Sequence, residues 1–359
     1  MKGYRKLILL LILVAFALLI KLFSANSLLV EKEYSLGFYP LIVRTLRFLF
    51  GWLPFSIGDL IYCVFVLWIL WKLFTTIQII YRKNTSWNGV AVKAYKILVV
   101  FLLLYIVFNC FWGINYNRKG IAYQLNLKMG QYSIDELKNI NTVLLEKVNE
   151  VKLQLSNENT DNFTKEAMFV KVKESYSAID SIYPFLKYKG QSLKPSLWGW
   201  LGNYVGFAGY YNPFTGEAQV NTSMPKFLLP YTACHEVAHQ LGYAKEMEAN
   251  FVGYLAASAS KDRRFQYSVY LDLFLYSNRN LFGIDSVSAK SFAKQLRPEI
   301  KTDLKEWRDF SRRHQSPMEP IIRWIYGKYL ENNQQPQGEL SYDEVTSFLI
   351  AYYNKFGKI

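Results

Sequence analysis

The chain has 359 residues, of which 51% are hydrophobic and 17% aromatic, and its 42 Lys and Arg outnumber its 28 Asp and Glu. This length allows one sizeable domain and a further segment. The basic excess lies before residue 120, where 14 Lys and Arg face only three acids, Glu31, Glu33 and Asp59. Because these basic residues flank apolar runs instead of forming a stripe on a globular face, we exclude a nucleic-acid partner.

Three apolar segments predict a membrane domain over residues 1–117. The predicted transmembrane helices cover about residues 7–23, 57–74 and 97–114. Residues 28–55 hold Arg44 and Arg47 among aromatic and aliphatic residues, which predicts a helix lying in the membrane interface. Asp59, near the start of the second segment, is interpreted as an acid at the level of the lipid headgroups and not as a functional intramembrane carboxylate.

The first apolar segment fits either a signal peptide or a membrane anchor. An anchor is preferred, because further segments follow and Lys21 suits the end of a spanning helix. By the positive-inside bias, the basic N-terminus and the basic stretch between the second and third segments are expected in the cytoplasm. The basic residues of that stretch are Lys72, Arg82, Lys83, Lys93 and Lys96. Three spans then predict a multi-pass inner (plasma) membrane protein with residues 118–359 outside the cytoplasm.

The part after the third segment begins with helical patterns. Ser133 and Glu136 form a capping-box pattern that opens a predicted amphipathic helix to about residue 155. A second helix is predicted over 164–183, and the polar residues 156–162 between the two helices are predicted to form a loop.

A strand-like region and a series of helices complete the chain. Residues 191–221 alternate aromatics with Gly and Pro, which predicts short strands, and 209–221 predicts a hairpin or edge strand. Later helices are predicted at about 246–260, 264–279, 285–296, 299–313, 318–331 and 342–355. The last of these has a capping pattern at Ser341 and Glu344.

The stretch Tyr231–Tyr254, YTACHEVAHQLGYAKEMEANFVGY, contains two of the three histidines in the chain. His235 and His239 are four residues apart, so on a helix both imidazoles project from one face and can hold one metal ion, with Glu236 beside them. This is the HExxH pattern of zinc sites. The alternative is a chance match in a solvated helix, but apolar neighbours such as Val237 indicate a buried helix, where unpaired His and Glu would be costly.

A catalytic zinc site needs a third protein ligand and one open position for water. Gly242 can end the motif helix and turn the chain back. A second helix that begins near Lys245 would then face the first and present two acidic residues, Glu246 and Glu248. From the residues alone, both glutamates are candidates for the third ligand.

Cysteines and the remaining histidine add little to this site. Cys63, Cys110 and Cys234 imply no disulfide framework. Cys234 points about 100° away from His235 on a helix, which favours a small buried residue over a thiol ligand. His314 lies in a charged, Pro-ended stretch and is interpreted as exposed; it and the many tyrosines are candidates for an oxyanion-stabilising role.

The strand-like region, HExxH helix, glycine turn and glutamate helix together resemble the zincin metallopeptidases, in the gluzincin branch. The residues Glu246-Met-Glu-Ala249-Asn250 match the gluzincin pattern of a glutamate followed by a small residue at i+3 and by Asp or Asn at i+4. The resemblance implies that Glu246 is the ligand, that Ala249 packs closely and that Asn250 orients a histidine. Glu248 departs from this match but stays possible, because the turn is short. Lys245 stands where the metzincin pattern has its third histidine, which disfavours that branch.

The whole chain also resembles a family of uncharacterised bacterial membrane proteins catalogued as a domain of unknown function. The resemblance lies in the three spans, the PFTGEAQVN segment and the SYDEVTSFLIAYY tail. The expected fold is mainly α, with three transmembrane helices in a membrane domain, 1–117, that also holds the interfacial segment. A zincin-like α+β domain, 118–359, follows, with a small sheet before the HExxH helix.

These observations predict a membrane-anchored, zinc-dependent metallopeptidase that hydrolyses peptide or protein substrates outside the cytoplasm. Zn²⁺ is expected on His235, His239 and Glu246, with Glu236 as the general base. The alternative is a scaffold or binding protein of the lipid bilayer in which metal stabilises the fold without catalysis. An intramembrane protease is excluded because the motif lies far beyond the third span. The sequence predicts no oligomeric state.

Overall fold

A computed structural model describes residues 2–81, 87–156, 163–190, 192–335 and 344–359 of the chain. These residues are mainly helical, with one three-stranded sheet. Arg82 and Lys83, most of the predicted loop 156–162, and the predicted cap residue Ser341 lie outside the described residues.

The first part of the chain is helical throughout most of its described length. Its elements are α1 (Lys2–Ser24), the short α2 (Ser27–Leu29), a π-helix (Val30–Phe38), α3 (Tyr39–Phe50), α4 (Ile57–Tyr81), α5 (Trp87–Phe111) and a 3-10 helix (Gly113–Asn117). Three stretches are long and apolar enough to cross a membrane, and they are Tyr4–Ser24, Ile57–Gln78 and Gly89–Phe111. This agrees with the prediction of a membrane protein.

The predicted third span, 97–114, is displaced along the chain. It begins earlier because Lys93 and Lys96 belong to α5 and not to a loop, and long basic side chains are tolerated near the end of a spanning helix. It ends at Phe111 because the backbone of Trp112, with φ −153°, leaves the helix. The Trp112 ring packs 4.7 Å from that of Tyr211, a long-range contact with no signal in the local sequence.

The second part contains helices around a small sheet. In chain order its elements are α6 (Gly120–Gln124), α7 (Ile134–Ser156), α8 (Lys165–Asp180), β1 (Leu193–Pro195), α9 (Gly199–Val205), β2 (Gly209–Asn212), β3 (Glu217–Val220), α10 (Leu229–Gln240), α11 (Glu246–Ser258), α12 (Arg263–Ile284), α13 (Ser286–Lys294), α14 (Pro298–Arg313), α15 (Glu319–Asn332) and α16 (Val345–Phe356). The predicted helices are therefore present. The capping box is also present, since the Glu136 N–H donates to Ser133 Oγ and the Ser133 N–H donates to Glu136 Oε2.

The sheet has the strand order β1-β3-β2, with β1 parallel and β2 antiparallel to β3. The predicted hairpin is β2 and β3, and β2 is an edge strand of the sheet. Gly216, with φ +66°, lies in the turn before β3, a conformation that favours glycine. The prediction of strands throughout 191–221 is wrong for α9, where seven residues form a helix.

The apolar core surrounds α10 and α11. Val237, Ala238, Ala249 and Phe251 are fully buried in it. The two helices approach closely at Gly253, where an added Cβ would lie 3.0 Å from the backbone nitrogen of His235. This close approach brings the HExxH helix and the glutamate helix together.

The segment predicted to lie in the membrane interface packs against the second part of the chain with one face. On α3, Tyr39, Val43 and Arg47 are buried, while Phe48 is 81% exposed. The Arg47 guanidinium donates to the backbone carbonyls of Gln240 at 2.9 Å and Lys189 at 2.7 Å. The exposed face is apolar, as expected of an interfacial helix. The buried face contacts the end of α10.

Two buried carboxylates connect α4 to the sheet. Glu217 accepts hydrogen bonds from the N–H groups of Ile57 and Gly58 at the start of α4, at 3.2 and 2.6 Å. Asp59 is fully buried, and it accepts from the Leu197 N–H at 2.7 Å and from the Tyr210 hydroxyl. The interpretation of Asp59 as a headgroup-level acid does not predict this burial, because the partners of its oxygens are distant in sequence.

A third buried carboxylate, Glu31 in the π-helix, pairs with Arg118. Two guanidinium nitrogens of Arg118 donate to it at 2.8 and 2.9 Å, and a third donates to the carbonyl of Gly242 at 3.0 Å. The Gly120 N–H and the Gln124 amide also donate to Glu31. Burial opposes ionisation of Glu31, but the hydrogen bonds and charge of Arg118 keep its pKa below the usual value.

Candidate metal centre

The turn between α10 and α11 sets the direction of the candidate ligands. Gly242 has φ +89°, and an added Cβ there would meet Asn115 Oδ1 and the Tyr39 ring at 3.1 Å. Only glycine combines this backbone conformation with this packing. The chain reverses at the turn, and α11 begins at Glu246, so the first residue of α11 faces α10, as the sequence predicts.

His235, His239 and Glu246 converge on one point. Glu246 Oε2 lies 3.3 Å from His235 Nε2 and 3.5 Å from His239 Nε2, and one ligand atom from each residue lies within 4.8 Å of the others. Ligands at about 2.0–2.1 Å from a tetrahedral zinc ion are separated by roughly 3.3–3.4 Å. The donor set of two imidazoles and one carboxylate can therefore hold a metal ion such as zinc.

Neighbouring groups orient these three side chains. His239 Nδ1 lies 2.7 Å from the carbonyl oxygen of Tyr243, so its N–H donates there and Nε2 is left as the lone-pair donor. The Tyr326 hydroxyl donates to Glu246 Oε1 at 2.7 Å. Asn250 lies close enough to His235 to affect its pKa, but His235 Nδ1 has no hydrogen-bond partner among the described residues.

The pKa values of His235, His239 and Glu246 depend on burial and on the charges that these residues place near one another. Burial lowers the pKa of His235. Burial acts in the same direction on His239, but the charge of Glu246 outweighs it and raises the pKa of His239 to about 9. Burial favours protonated Glu246, yet the neighbouring histidines lower its pKa well below the usual value. Without a metal, ionised Glu246 and protonated His239 stabilise each other, and a bound metal cation would take the place of the proton on His239.

Glu236 lies beside the cluster without joining it. It is only 4% exposed, its Oε2 has no hydrogen-bond partner in the part of the chain that the structure describes, and burial raises its pKa to about 8. Its other oxygen faces β2, where a Cβ added at Gly209 would lie only 2.5 Å from Oε1. The edge strand can approach the carboxylate closely because residue 209 is glycine.

A cleft of about 850 Å³ opens onto these residues. Its walls include the edge strand, α12, α15 and many aromatic side chains. Asp272 and Arg279 of α12 lie in this wall, and burial raises the pKa of Asp272 to about 7. The cleft therefore combines a polar cluster with an apolar surface large enough for several residues of an extended peptide.

The other residues named in the sequence analysis lie elsewhere. Glu248 points away from the histidines towards Gly120, where an added Cβ would lie 1.8 Å from its Oε1. Cys234 is fully buried in the core, and burial raises its pKa. His314 packs between Tyr204 and Phe310 and is not among the residues that line the cleft.

Two partners of the site escaped the sequence analysis. Tyr326 reaches Glu246 from α15, and Arg118 reaches the carbonyl of Gly242 from the end of the first part of the chain. Both pairs are far apart in sequence. No spacing rule connects them, and only the packing of α15 and of the π-helix brings them to the site.

A family model described as "Protein of unknown function (DUF3810)" matches residues 34–350. The chain belongs to this family. Comparisons with curated proteins and with solved structures give no match. The matched range begins in the π-helix and ends in α16, so the DUF3810 model spans both the candidate membrane helices α4 and α5 and the His-His-Glu cluster.

Proposed function

We propose that this DUF3810 protein is a membrane-anchored, zinc-dependent metallopeptidase with a zincin-like domain outside the cytoplasm. The observation that carries the proposal is the convergence of His235, His239 and Glu246 beside a buried carboxylate, Glu236, that has an unpaired oxygen. Two histidines and one carboxylate form a ligand set of catalytic zinc sites, and the same helix supplies the base.

The chain's own residues supply most of the chemistry. His235, His239 and Glu246 would hold the metal, which when bound polarises a carbonyl and makes water more acidic. Glu236 accepts a proton from the attacking water and returns it to the leaving nitrogen, so that water adds to the carbonyl carbon and the C–N bond breaks. Burial raises the pKa of Glu236 to about 8, so its ionised form is a stronger base than an ordinary carboxylate.

The edge strand β2 provides a means of holding the substrate. Its outer side presents backbone N–H and C=O groups beside Glu236, and an extended peptide can pair with an exposed strand edge. This pairing would hold a peptide along the cleft wall with one carbonyl near the cluster.

The decisive substitution is Glu236→Gln in the full chain. We expect zinc content and fold to be retained and peptide hydrolysis to fall by about 10²- to 10⁴-fold, because glutamine keeps the shape but accepts no proton. Metal content is measured by mass spectrometry and hydrolysis on a peptide library. Glu166→Gln is the matched control, since the Glu166 side chain is 70% exposed on α8.

Three outcomes would overturn the proposal. Undiminished hydrolysis by zinc-loaded Glu236→Gln removes the mechanism. Absence of hydrolysis by the zinc-loaded wild-type chain leaves the metal-stabilised scaffold as the better account. Iron in place of zinc would indicate a different chemistry, because two histidines and one carboxylate also form the site of non-haem iron oxygenases.

A further inference from the structure

The wall of the cleft includes residues of the candidate membrane spans. Tyr62 of α4 and Phe108 of α5 line the same cleft as His235 and Glu236. Tyr62 lies five residues after the start of α4 and Phe108 three residues before the end of α5, so at 1.5 Å per residue they lie roughly 4–8 Å inside the helix ends. The cleft therefore reaches the level at which these helices would enter the bilayer.

The candidate spans do not all pack against one another. α1 packs along α5, where the Tyr95 hydroxyl donates to the Lys6 carbonyl at 3.1 Å. Among the described residues, no helix packs extensively along α4. Its apolar side chains Leu60 and Val64 are exposed, at 43% and 66%. Since Tyr62 and Phe108 both line the cleft, the cleft borders both α4 and α5, two helices that do not pack extensively against each other.

An exposed apolar surface adjoins the cleft at the level where α4 would enter the bilayer. We call it the α9–α15 surface, and its residues are Leu197, Trp200, Leu201, Ile321, Trp324 and Ile325. Trp200 is 59% exposed and Trp324 66% exposed. Hydrogen bonds connect the surface to the start of α4. The Asp59 carboxylate accepts from the Leu197 N–H at 2.7 Å, and the Asp59 backbone carbonyl accepts from the Trp198 indole N–H at 3.4 Å. Exposed tryptophans next to the beginning of a span are typical of the membrane interface.

We propose that the substrate is a polypeptide anchored in the same membrane and cut within a few residues of the bilayer. This inference rests on the proposed peptidase function. The anchor of the substrate would lie in the opening beside α4, and the chain that emerges from the lipid would pass Tyr62 and Phe108 to reach β2 and Glu236. The α9–α15 surface rests on the lipid and keeps the mouth of the cleft at the bilayer.

The experiment compares substrates that differ only in their distance from the membrane. The full chain is reconstituted in phosphatidylethanolamine–phosphatidylglycerol vesicles. A segment cut in the peptide library is joined to a transmembrane helix through spacers of about 3, 10 or 30 residues, which extend to roughly 10, 35 and 100 Å. The longest spacer controls for surface concentration, because that substrate is anchored equally.

We expect cleavage of the shortest-spacer substrate to be at least about tenfold faster than that of the longest, because a long spacer dilutes the segment away from the mouth of the cleft. Equal rates across the series, or faster cleavage with the longest spacer, would overturn the inference while leaving the peptidase function in place. Failure of the full chain to cut any member of the peptide library would overturn the peptidase function and this inference with it.

A pair of surface variants tests the contact with lipid. Trp324→Glu places a charge on the α9–α15 surface, and Val287→Glu places one on α13, where Val287 is 79% exposed and does not line the cleft. Only Trp324→Glu should slow cleavage of the shortest-spacer substrate, by about tenfold, with hydrolysis of the free segment unchanged. The same loss in Val287→Glu, or no loss in Trp324→Glu, would contradict the role of this surface.

Discussion

Two glutamates on one turn of α11 have different surroundings. Glu246 lies with the two histidines, whereas Glu248 lies against Gly120, where burial raises its pKa to about 7. The two residues are two positions apart, so on a helix they point to opposite sides. This difference makes them a matched pair for testing the metal site.

Glu246→Ala should bring the zinc content of the purified chain close to zero at submicromolar free zinc, whereas Glu248→Ala should retain about one zinc per chain. The first change removes a ligand, and the second removes a neighbour that does not face the histidines. Mass spectrometry of metal and protein from the same sample gives the ratio. Equal loss in both variants, or greater loss for Glu248→Ala, would show that the ligand assignment is wrong.

The site is predictable from sequence where its residues are close together in the chain. The spacing of His235 and His239 and the glycine turn locate the cluster, and the gluzincin resemblance selects Glu246 over Glu248. Tyr326 is not predictable in this way, because it reaches Glu246 from 80 residues away. Residue type alone can also mislead. His314 is one of few histidines and is chemically suitable for catalysis, but it lies apart from the cleft.

At the scale of elements, β2 is held in place from both sides. Its first residue, Gly209, contacts Glu236, and its neighbour Tyr210 donates to Asp59 at the start of α4. The strand thus lies between the candidate base and a candidate membrane span. The position of the strand relative to α10 then depends on the absence of a side chain at residue 209.

Gly209→Ala should reduce kcat/KM by about 10- to 100-fold with zinc content unchanged. An added methyl group would lie 2.5 Å from Glu236 Oε1 and 2.8 Å from the Gln219 carbonyl oxygen, so either the carboxylate or the strand must move, and small displacements of catalytic groups are costly. Gly130→Ala is the control, because an added Cβ there meets nothing within 4 Å. Full activity in Gly209→Ala would show that the close approach of strand and carboxylate is not needed.

Local sequence signals predict where helices begin and end better than they predict contacts between elements. Capping residues such as Ser133 and Thr164 fix where α7 and α8 begin, so those helices agree with prediction. The end of α5 and the buried face of α3 depend on Trp112 and Arg47 meeting residues far along the chain. Local periodicity carries no information on such contacts, and these are the places where the structure differs from expectation.

At the scale of the whole molecule, buried ion pairs lie where the two parts of the chain meet. Arg118 and Glu31 are almost fully buried, and Arg118 also holds the carbonyl of Gly242 in the turn of the site. Lys194 and Glu217 form a second buried pair at 2.6 Å, next to the start of α4. Removing one partner of a buried pair leaves an uncompensated charge, which is far costlier than losing a surface pair.

Arg118→Met should lower the free energy of unfolding by about 3–5 kcal/mol at pH 7, because Glu31 stays buried without its cation. In the wild type, ionised Glu31 has a lowered pKa, so its stabilising contribution is complete above the ordinary value of 4.5 and is lost as the pH falls through the folded pKa. In the variant, burial raises the pKa of Glu31 relative to wild type, and the deficit should shrink as the pH is lowered from 7 towards 5. Denaturant titrations of both proteins in detergent test this, and a deficit that grows on acidification would contradict it.

Residues 118–359 expressed alone should give no cooperative unfolding transition and no stoichiometric zinc, in contrast to the full chain in the same detergent. Without the first part, Glu217 loses its donors at Ile57 and Gly58, and the Gln240 carbonyl loses those of Tyr39 and Arg47. Buried polar groups without partners destabilise a fold strongly. A cooperative, zinc-loaded fragment would show that these contacts are dispensable.

The polar contacts between the two parts also determine when during synthesis the site can form. Glu31, Arg47 and Asp59 leave the ribosome first, but their partners at residues 118, 240 and 197 follow much later. Contacts so distant in sequence form late in folding. The carbonyl of Gly242 in the turn is bound by Arg118, and Arg118 is paired with Glu31. The candidate metal centre therefore cannot have all of its supporting contacts until residues 31, 118 and 242 have been synthesised.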